Sequence, residues 1–224
     1  MEKMHVDVII ATPGNNLSSQ YIKSLLSTIA ELSKEKISWA FVNEFSSHVA
    51  DAREKTISGF GYANVTQQNP LNNSFTYNKI IWIDSDISWE VDDFMKLYRS
   101  DKDVISGSYL QADGYASAYK EVLGSAYTYD EIIKLNKLTK VAAVGFGFIG
   151  IKFGVFEKMT RPWFQSTEVS EIRDGVEYKY NILGEDLSWC YRASNIGYDI
   201  WLDPEVKVIH HKTMRLTWEG PMPV

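Results

Sequence analysis

With Cys190 as its only cysteine, the 224-residue chain cannot form an intrachain disulfide, and nothing in it calls for an oxidising compartment. It has no apolar run approaching the ~20 residues that a bilayer span needs. Its opening, Met1-Glu2-Lys3-Met4-His5-Val6-Asp7, lacks the apolar stretch of a secretory signal. Positive charge is not in excess. The formal net charge of −6 argues against a nucleic-acid groove or an anionic membrane as the main partner. Proline is scarce, with six residues, and no low-complexity tract interrupts the chain. These absences lead us to expect a soluble, reduced, cytoplasmic protein. What the chain does have is 45% hydrophobic and 13% aromatic residues, the makings of a dense core. A chain this long buries about 70% of its unfolded surface and needs no covalent staple. One domain spanning 1–224 is the economical expectation.

Val6 to Ile10 is a β-branched apolar run that stops at Thr12-Pro13-Gly14-Asn15-Asn16, a buried strand feeding a turn. Ser18 or Ser19 can cap the helix in which Tyr21, Ile22, Leu25, Leu26, Ile29 and Leu32 recur at helical spacing. Ile37 to Val42 reads as a second strand. Ser46 or Ser47 then caps a helix carrying Arg53 and Ile57, which ends near Gly59 and Gly61. Thr66 to Asn78 reads as a loop, Lys79 to Ile83 as a third strand, and Ser88 as the cap of a helix through Phe94 and Leu97; Val104-Ile105 opens a further strand. Strands alternating with helices predict an α/β sheet covered on both faces, with parallel early strands. The second half is different. Leu110 to Tyr129, rich in Tyr, Ser and Gly, reads as a loop-borne surface, and Val141 to Phe156 as strand broken by glycines. Residues 168–180 read as a hairpin turning at Asp174-Gly175. Leu187 to Ile196 is a helix, and Asp199 to Leu202 and Val206 to His210 are closing strands.

Asp84-Ser85-Asp86 follows directly on Ile81-Trp82-Ile83, so two carboxylates sit just past the carboxyl end of a buried strand, where open α/β sheets bind ligands. Such a pair suits a hard divalent ion; it also suits a solvated turn capping the next helix. Glu185-Asp186 opens a helix, where the macrodipole alone accounts for it, or where one carboxylate serves as a general base. His210 and His211 end a strand, and alternation points them to opposite faces, so at most one enters a site. Arg53 either reaches a phosphate or pairs with Glu54 or Asp51. Trp163 and Phe164 either stack on a ligand or fill core. Gly145-Phe146-Gly147-Phe148-Ile149-Gly150 matches the dinucleotide fingerprint by letter, but no helix-forming segment follows it. These glycines read instead as letting backbone pass close to a ligand or a strand.

In their order these pieces resemble glycosyltransferases of the GT-A fold, close to the inverting, GT-2-like family. The resemblance runs through VIIATPGNN, HVADARE, KIIWIDSDISWEVDDFMKL, DVISGSY, VGFGFIGIKFGVFEKM with RPWF, and GEDLSWCYRASNIGYDIWLDPEVKVIHH. It implies a single GT-A domain, with a nucleotide-sugar-binding half (1–107) and an acceptor and catalytic half (108–224). It further implies a hexosyltransferase-type enzyme using a UDP- or GDP-sugar, Mn²⁺ or Mg²⁺, and a glycan or other hydroxyl-bearing acceptor. Carried over by position, Thr12, Pro13, Arg53, Asp84, Ser85 and Gly147 would bind the nucleotide sugar. Asp86, Asp84 and His210 would hold the metal, with His211 as the alternative. Asp186 would be the base with Glu185 beside it, and Trp163 and Phe164 would meet the acceptor. Asn43-Glu44 stands where the family usually carries an acidic residue, and the long region between the sheet halves is where acceptor choice would lie. A nucleotidyltransferase and a non-catalytic carbohydrate-binding relic of the fold are the rival readings.

Overall fold

The computed structural model describes residues 3–58, 69–180, 183–212, 214–217 and 220–223. Gly59 and Gly61, expected to end the second helix, lie outside the described residues. The central sheet has seven strands in the order Trp39–Glu44, Met4–Pro13, Phe75–Ile83, Phe148–Lys152, Val104–Ser108, Ile200–Lys207 and Thr139–Val141. The first three are mutually parallel, as the strand–helix alternation predicts. Phe148–Lys152 is inserted antiparallel between Phe75–Ile83 and Val104–Ser108. Ile200–Lys207 is parallel to Val104–Ser108, and Thr139–Val141 closes the edge antiparallel. The result is a mixed, mostly parallel α/β sheet.

Side-chain alternation divides the core between the two faces. Val8, Ile10, Ile81 and Ile83 pack with Tyr21 and Leu25 of helix Ser19–Lys34 and with Phe94 and Leu97 of helix Val91–Arg99. Their neighbours Ile9, Ala11, Ile80 and Trp82 belong to the opposite layer, with Ile57 of helix Val49–Ser58 and Trp189 and Cys190 of helix Glu185–Asn195. Lys79, buried inside a strand, satisfies its ammonium group on the carbonyls of Leu97 and Ser100 at the carboxyl end of a helix.

Ser18 caps the first helix as expected, its hydroxyl accepting from the Tyr21 amide. The hairpin turns at Asp174 and Gly175, both at positive φ. Other expectations are corrected. The segment read as a loop to Asn78 already forms strand from Phe75. Leu110 to Tyr129 contributes Tyr115–Tyr119 and Ala126–Thr128 to a small sheet with Ala143–Val144, because Ala116, Ser117 and Ala118 are small enough to be buried there. The closing strands are one strand, Ile200–Lys207, irregular after Leu202, followed by Ile209–His210. Ser88 does not cap a helix. Helix Val91–Arg99 starts from Glu90, whose amide donates to Asp93, and Ser88 pairs instead with Ile209 in a two-residue antiparallel bridge, Ile87–Ser88 with Ile209–His210.

Candidate active site

That short bridge brings the two ends of the site together. Strand Phe75–Ile83 stops where the Asp84 amide donates to the Gly147 carbonyl, and the Ile87 amide then closes a turn on the Asp84 carbonyl, each at 3.0 Å. The Ile209–His210 segment pairs alongside, and the His211 amide donates to the Asp86 carbonyl at 2.8 Å. His210 is thereby carried onto Asp86, with Nε2 3.1 Å from Oδ2. Its Nδ1 lies 3.2 Å from the Leu110 carbonyl oxygen, which can only accept. His211 turns the other way, its Nε2 2.7 Å from the Ser88 hydroxyl. Lys212 adds its ammonium, 2.9 Å from the same Asp86 oxygen. Burial by itself would raise the Asp86 carboxyl, but the hydrogen bonds from His210 and Lys212 outweigh it and hold the group at about 2.

Asp84 faces a different cation. Arg53 is 3% exposed and sits over the Phe146 ring; its Nη1 lies 3.1 Å from Asp84 Oδ1, Nη2 3.3 Å from Oδ2, and Nε 3.3 Å from Glu185 Oε1. This guanidinium ties the end of the third strand to the first turn of helix Glu185–Asn195. It pairs with neither Asp51 nor Glu54. Glu54 instead accepts from Arg161 and from the amides of Trp163 and Phe164. Nor does Arg53 keep a surface for a phosphate, because the side chain is buried; Nη1 lies beside Asp84 without a hydrogen bond.

Asp186 follows Glu185 and accepts the Leu187 amide at 2.8 Å. Burial first, then the charge of Glu185, push its carboxyl up to about 6, with Arg53 pulling in the opposite direction. Tyr109 lies close enough to feel the charges of both Asp84 and Asp186. Burial and these carboxylates push its phenol far up, so it stays neutral. Its ring meets His210 edge-on at 5.1 Å between centroids.

A cleft of about 300 Å³ opens at the D-x-D turn, lined by Pro13, Gly14, Phe45, Ser46, Ser47, Val49, Ala52, Asp84, Ser85 and Asp86; Glu185 and Asp186 do not line it. Gly14 is at positive φ, where a Cβ would come within 2.9 Å of the Ser85 hydroxyl oxygen, so this wall requires a glycine. A larger cavity of about 460 Å³ lies against Trp39–Glu44 and Leu71–Phe75, but neither Asp84, Asp86 nor Asp186 lines it.

The sequence-predicted residues are therefore only partly brought together. Pro13, Ser85, Asp84 and Asp86 line the cleft, and Arg53 links Asp84 to Glu185. Thr12 does not line it: the side chain is fully buried and its hydroxyl is bonded to that of Tyr21. Gly147 is not open to a ligand either. A Cβ there would meet the Tyr109 ring at 2.7 Å, and one on Gly145 the Tyr109 hydroxyl at 2.3 Å, so both glycines make room for a side chain. Trp163 and Phe164 are 0% and 2% exposed and packed around Phe156, and they have no surface to offer an acceptor. Among the described residues no three His, Cys, Asp or Glu side chains converge as a metal cluster, because Asp84 is turned to Arg53. Sequence reasoning missed Phe45, Tyr109 and Lys212. The one available signal was the Tyr that ends DVISGSY, the residue directly after a strand.

No protein-family model matches this sequence, and no curated protein does. Solved structures share its fold. The chain is similar to A197 from STIV, with 18% identity, TM-score 0.56, and coverage of 96% of this chain and 91% of that one. It is also similar to GalNAc-T7 with UDP, GalNAc and Mn²⁺, with 15% identity, TM-score 0.50 and 94% of this chain covered, although the match spans only 44% of that longer chain. The inositol-1-phosphate CTP transferase from T. maritima matches at 10% identity and TM-score 0.41 over 93% of this chain and 89% of that one, too loosely to argue from. Among the described residues no helix is long and apolar enough to cross a membrane. The fold is thus mixed α/β and GT-A-like.

Proposed function

We propose that this protein is a glycosyltransferase, moving a sugar from a UDP- or GDP-type donor to an acceptor hydroxyl with Asp186 as general base. One observation carries the reading. Arg53 bonds both Asp84 and Glu185, so the first turn of helix Glu185–Asn195 is held one side chain away from the D-x-D turn, whose Asp84 and Asp86 line the cleft. The shared fold with a protein whose structure holds UDP, GalNAc and Mn²⁺ supports it. In this reading residues 1–107 bind the donor and 108–224 supply the base and the acceptor side, with His210 crossing back to Asp86.

The donor set at Asp86 suits a divalent ion. Asp86 Oδ2 and His210 Nε2, 3.1 Å apart, are a carboxylate oxygen and an imidazole nitrogen of the kinds that Mn²⁺ accepts. Asp86 and His210 would hold Mn²⁺ or Mg²⁺, leaving its other positions to donor phosphate oxygens and water. When bound, the ion supplies positive charge against the departing diphosphate. Phe45 and Pro13 offer apolar surface to the nucleotide along the cleft wall. Arg53 fixes Asp84 and Glu185 so that neither carboxylate swings into the diphosphate. Asp186, its carboxyl at about 6, is ionised at neutral pH yet more basic than an ordinary aspartate, which suits it to take the acceptor hydroxyl proton. Attack from the face opposite the leaving diphosphate inverts the anomeric centre.

The deciding assay is release of UDP or GDP from a panel of sugar nucleotides with Mn²⁺ present. Nucleoside diphosphate release supports the reading. Pyrophosphate formation would assign nucleotidyl transfer instead, and no turnover on any donor would leave a carbohydrate-binding relic.

A further inference from the structure

Each carboxylate of the D-x-D turn already carries a protein cation, and the two pairs are built differently. Arg53 is buried and makes three contacts to two carboxylates, so it cannot leave without stranding them. Lys212 reaches Asp86 through a single contact of 2.9 Å, its side chain 48% exposed and the carboxylate 39%, a pair that costs little to open. The oxygen it occupies, Oδ2, is the one that faces His210.

A carboxylate oxygen has two lone pairs, and an ammonium group and a divalent ion sharing one such oxygen repel each other across about 4 Å. A diphosphate arriving in the cleft changes the balance, because it brings acceptor oxygens of its own within reach of the lysine. We propose that Lys212 is an exchangeable counter-ion of the donor site. It holds Asp86 while the cleft is empty, disfavours a divalent ion arriving alone, and transfers its ammonium to the diphosphate oxygens when metal and nucleotide enter together. The inference rests on the sugar-transfer reading and deepens it: metal and nucleotide bind cooperatively because one side chain opposes the first and favours the pair.

The test uses the full chain, with Mn²⁺ binding followed by the electron paramagnetic resonance of the free ion, alone and with UDP or GDP. Lys212→Met should bind Mn²⁺ alone roughly tenfold more tightly and the Mn²⁺–nucleotide pair roughly tenfold more weakly. Lys212→Arg, which keeps the charge, should behave as the wild type in both. Opposite signs for the Met variant are the signature; a variant unchanged in either measurement, or shifted in the same direction in both, overturns the inference while the sugar-transfer reading stands. A wild-type protein that binds neither Mn²⁺ nor nucleotide overturns both.

Discussion

Arg53 and Glu185 are 132 positions apart in the chain and 3.3 Å apart between Nε and Oε1. The same guanidinium holds Asp84, so removing it leaves two carboxylates facing each other with their shared counter-charge gone. Arg53→Ala should therefore cost about 3–5 kcal/mol of stability, and Arg53→Lys should recover only part of it, because an ammonium group cannot span both partners as the planar fork does. Urea unfolding of the two variants checks this; equal stability of the alanine variant and the wild type would exclude the clamp.

Asp186 sets up an opposition between activity and stability. Its folded carboxyl is raised from 3.8 to about 6, so the native state takes up a proton more readily than the unfolded chain. The contribution favours folding at low pH and is lost as pH rises through about 6. Asp186→Asn removes the ionisation and keeps an oxygen for the Leu187 amide. The variant should melt higher than the wild type above pH 6 and match it below about pH 4, while losing roughly 10²–10⁴-fold in turnover. Thermal melts across pH, paired with rates on the active donor, decide it.

The same carboxyl should shape the pH–rate profile. As the base it works ionised, so kcat/KM should rise tenfold per pH unit below about 6 and level off above it. A limb near pH 4, the range of an unperturbed aspartate, would remove Asp186 from that role.

Asp86 and His210 should answer to metal together. Asp86→Asn and His210→Ala should each weaken Mn²⁺-supported nucleotide binding by about 10–100-fold, and chelation should abolish what remains, as calorimetry with and without EDTA would show. His211→Ala, by contrast, removes a partner of Ser88 and should leave that binding close to wild type.

Gly147 and Tyr109 should be energetically coupled. Gly147→Ala places a Cβ 2.7 Å from the Tyr109 ring and should cost about 1–3 kcal/mol. In a Tyr109→Ala background the same change meets no ring and should cost much less, a non-additivity that a double-mutant cycle measures directly.

The fold was legible where local pattern and global placement agree. Ile81-Trp82-Ile83 running into Asp84 marked both a buried strand and the end of it that opens on the cleft, and the acidic pair at 185–186 marked a helix start. Partner choice across long separations was not legible. Thr12 shares its backbone turn with Pro13, but whether its hydroxyl faces the cleft or Tyr21 depends on how helix Ser19–Lys34 packs. Gly147 was recognised as a site of close approach, yet the visitor is Tyr109, thirty-eight positions earlier and from another strand's end. Trp163 and Phe164 could stack on a ligand or fill core, with core the favoured of the two, and the amides they donate to Glu54 fix them there.

The two-residue bridge between Ile87–Ser88 and Ile209–His210 also has a kinetic consequence. Closing a contact over 124 positions, from Asp86 to His210, costs chain entropy that local helices cannot offset, so it forms only once strands Val104–Ser108 and Ile200–Lys207 have zipped. Refolding watched through the Tyr109–His210 neighbourhood should therefore trail the recovery of helical signal.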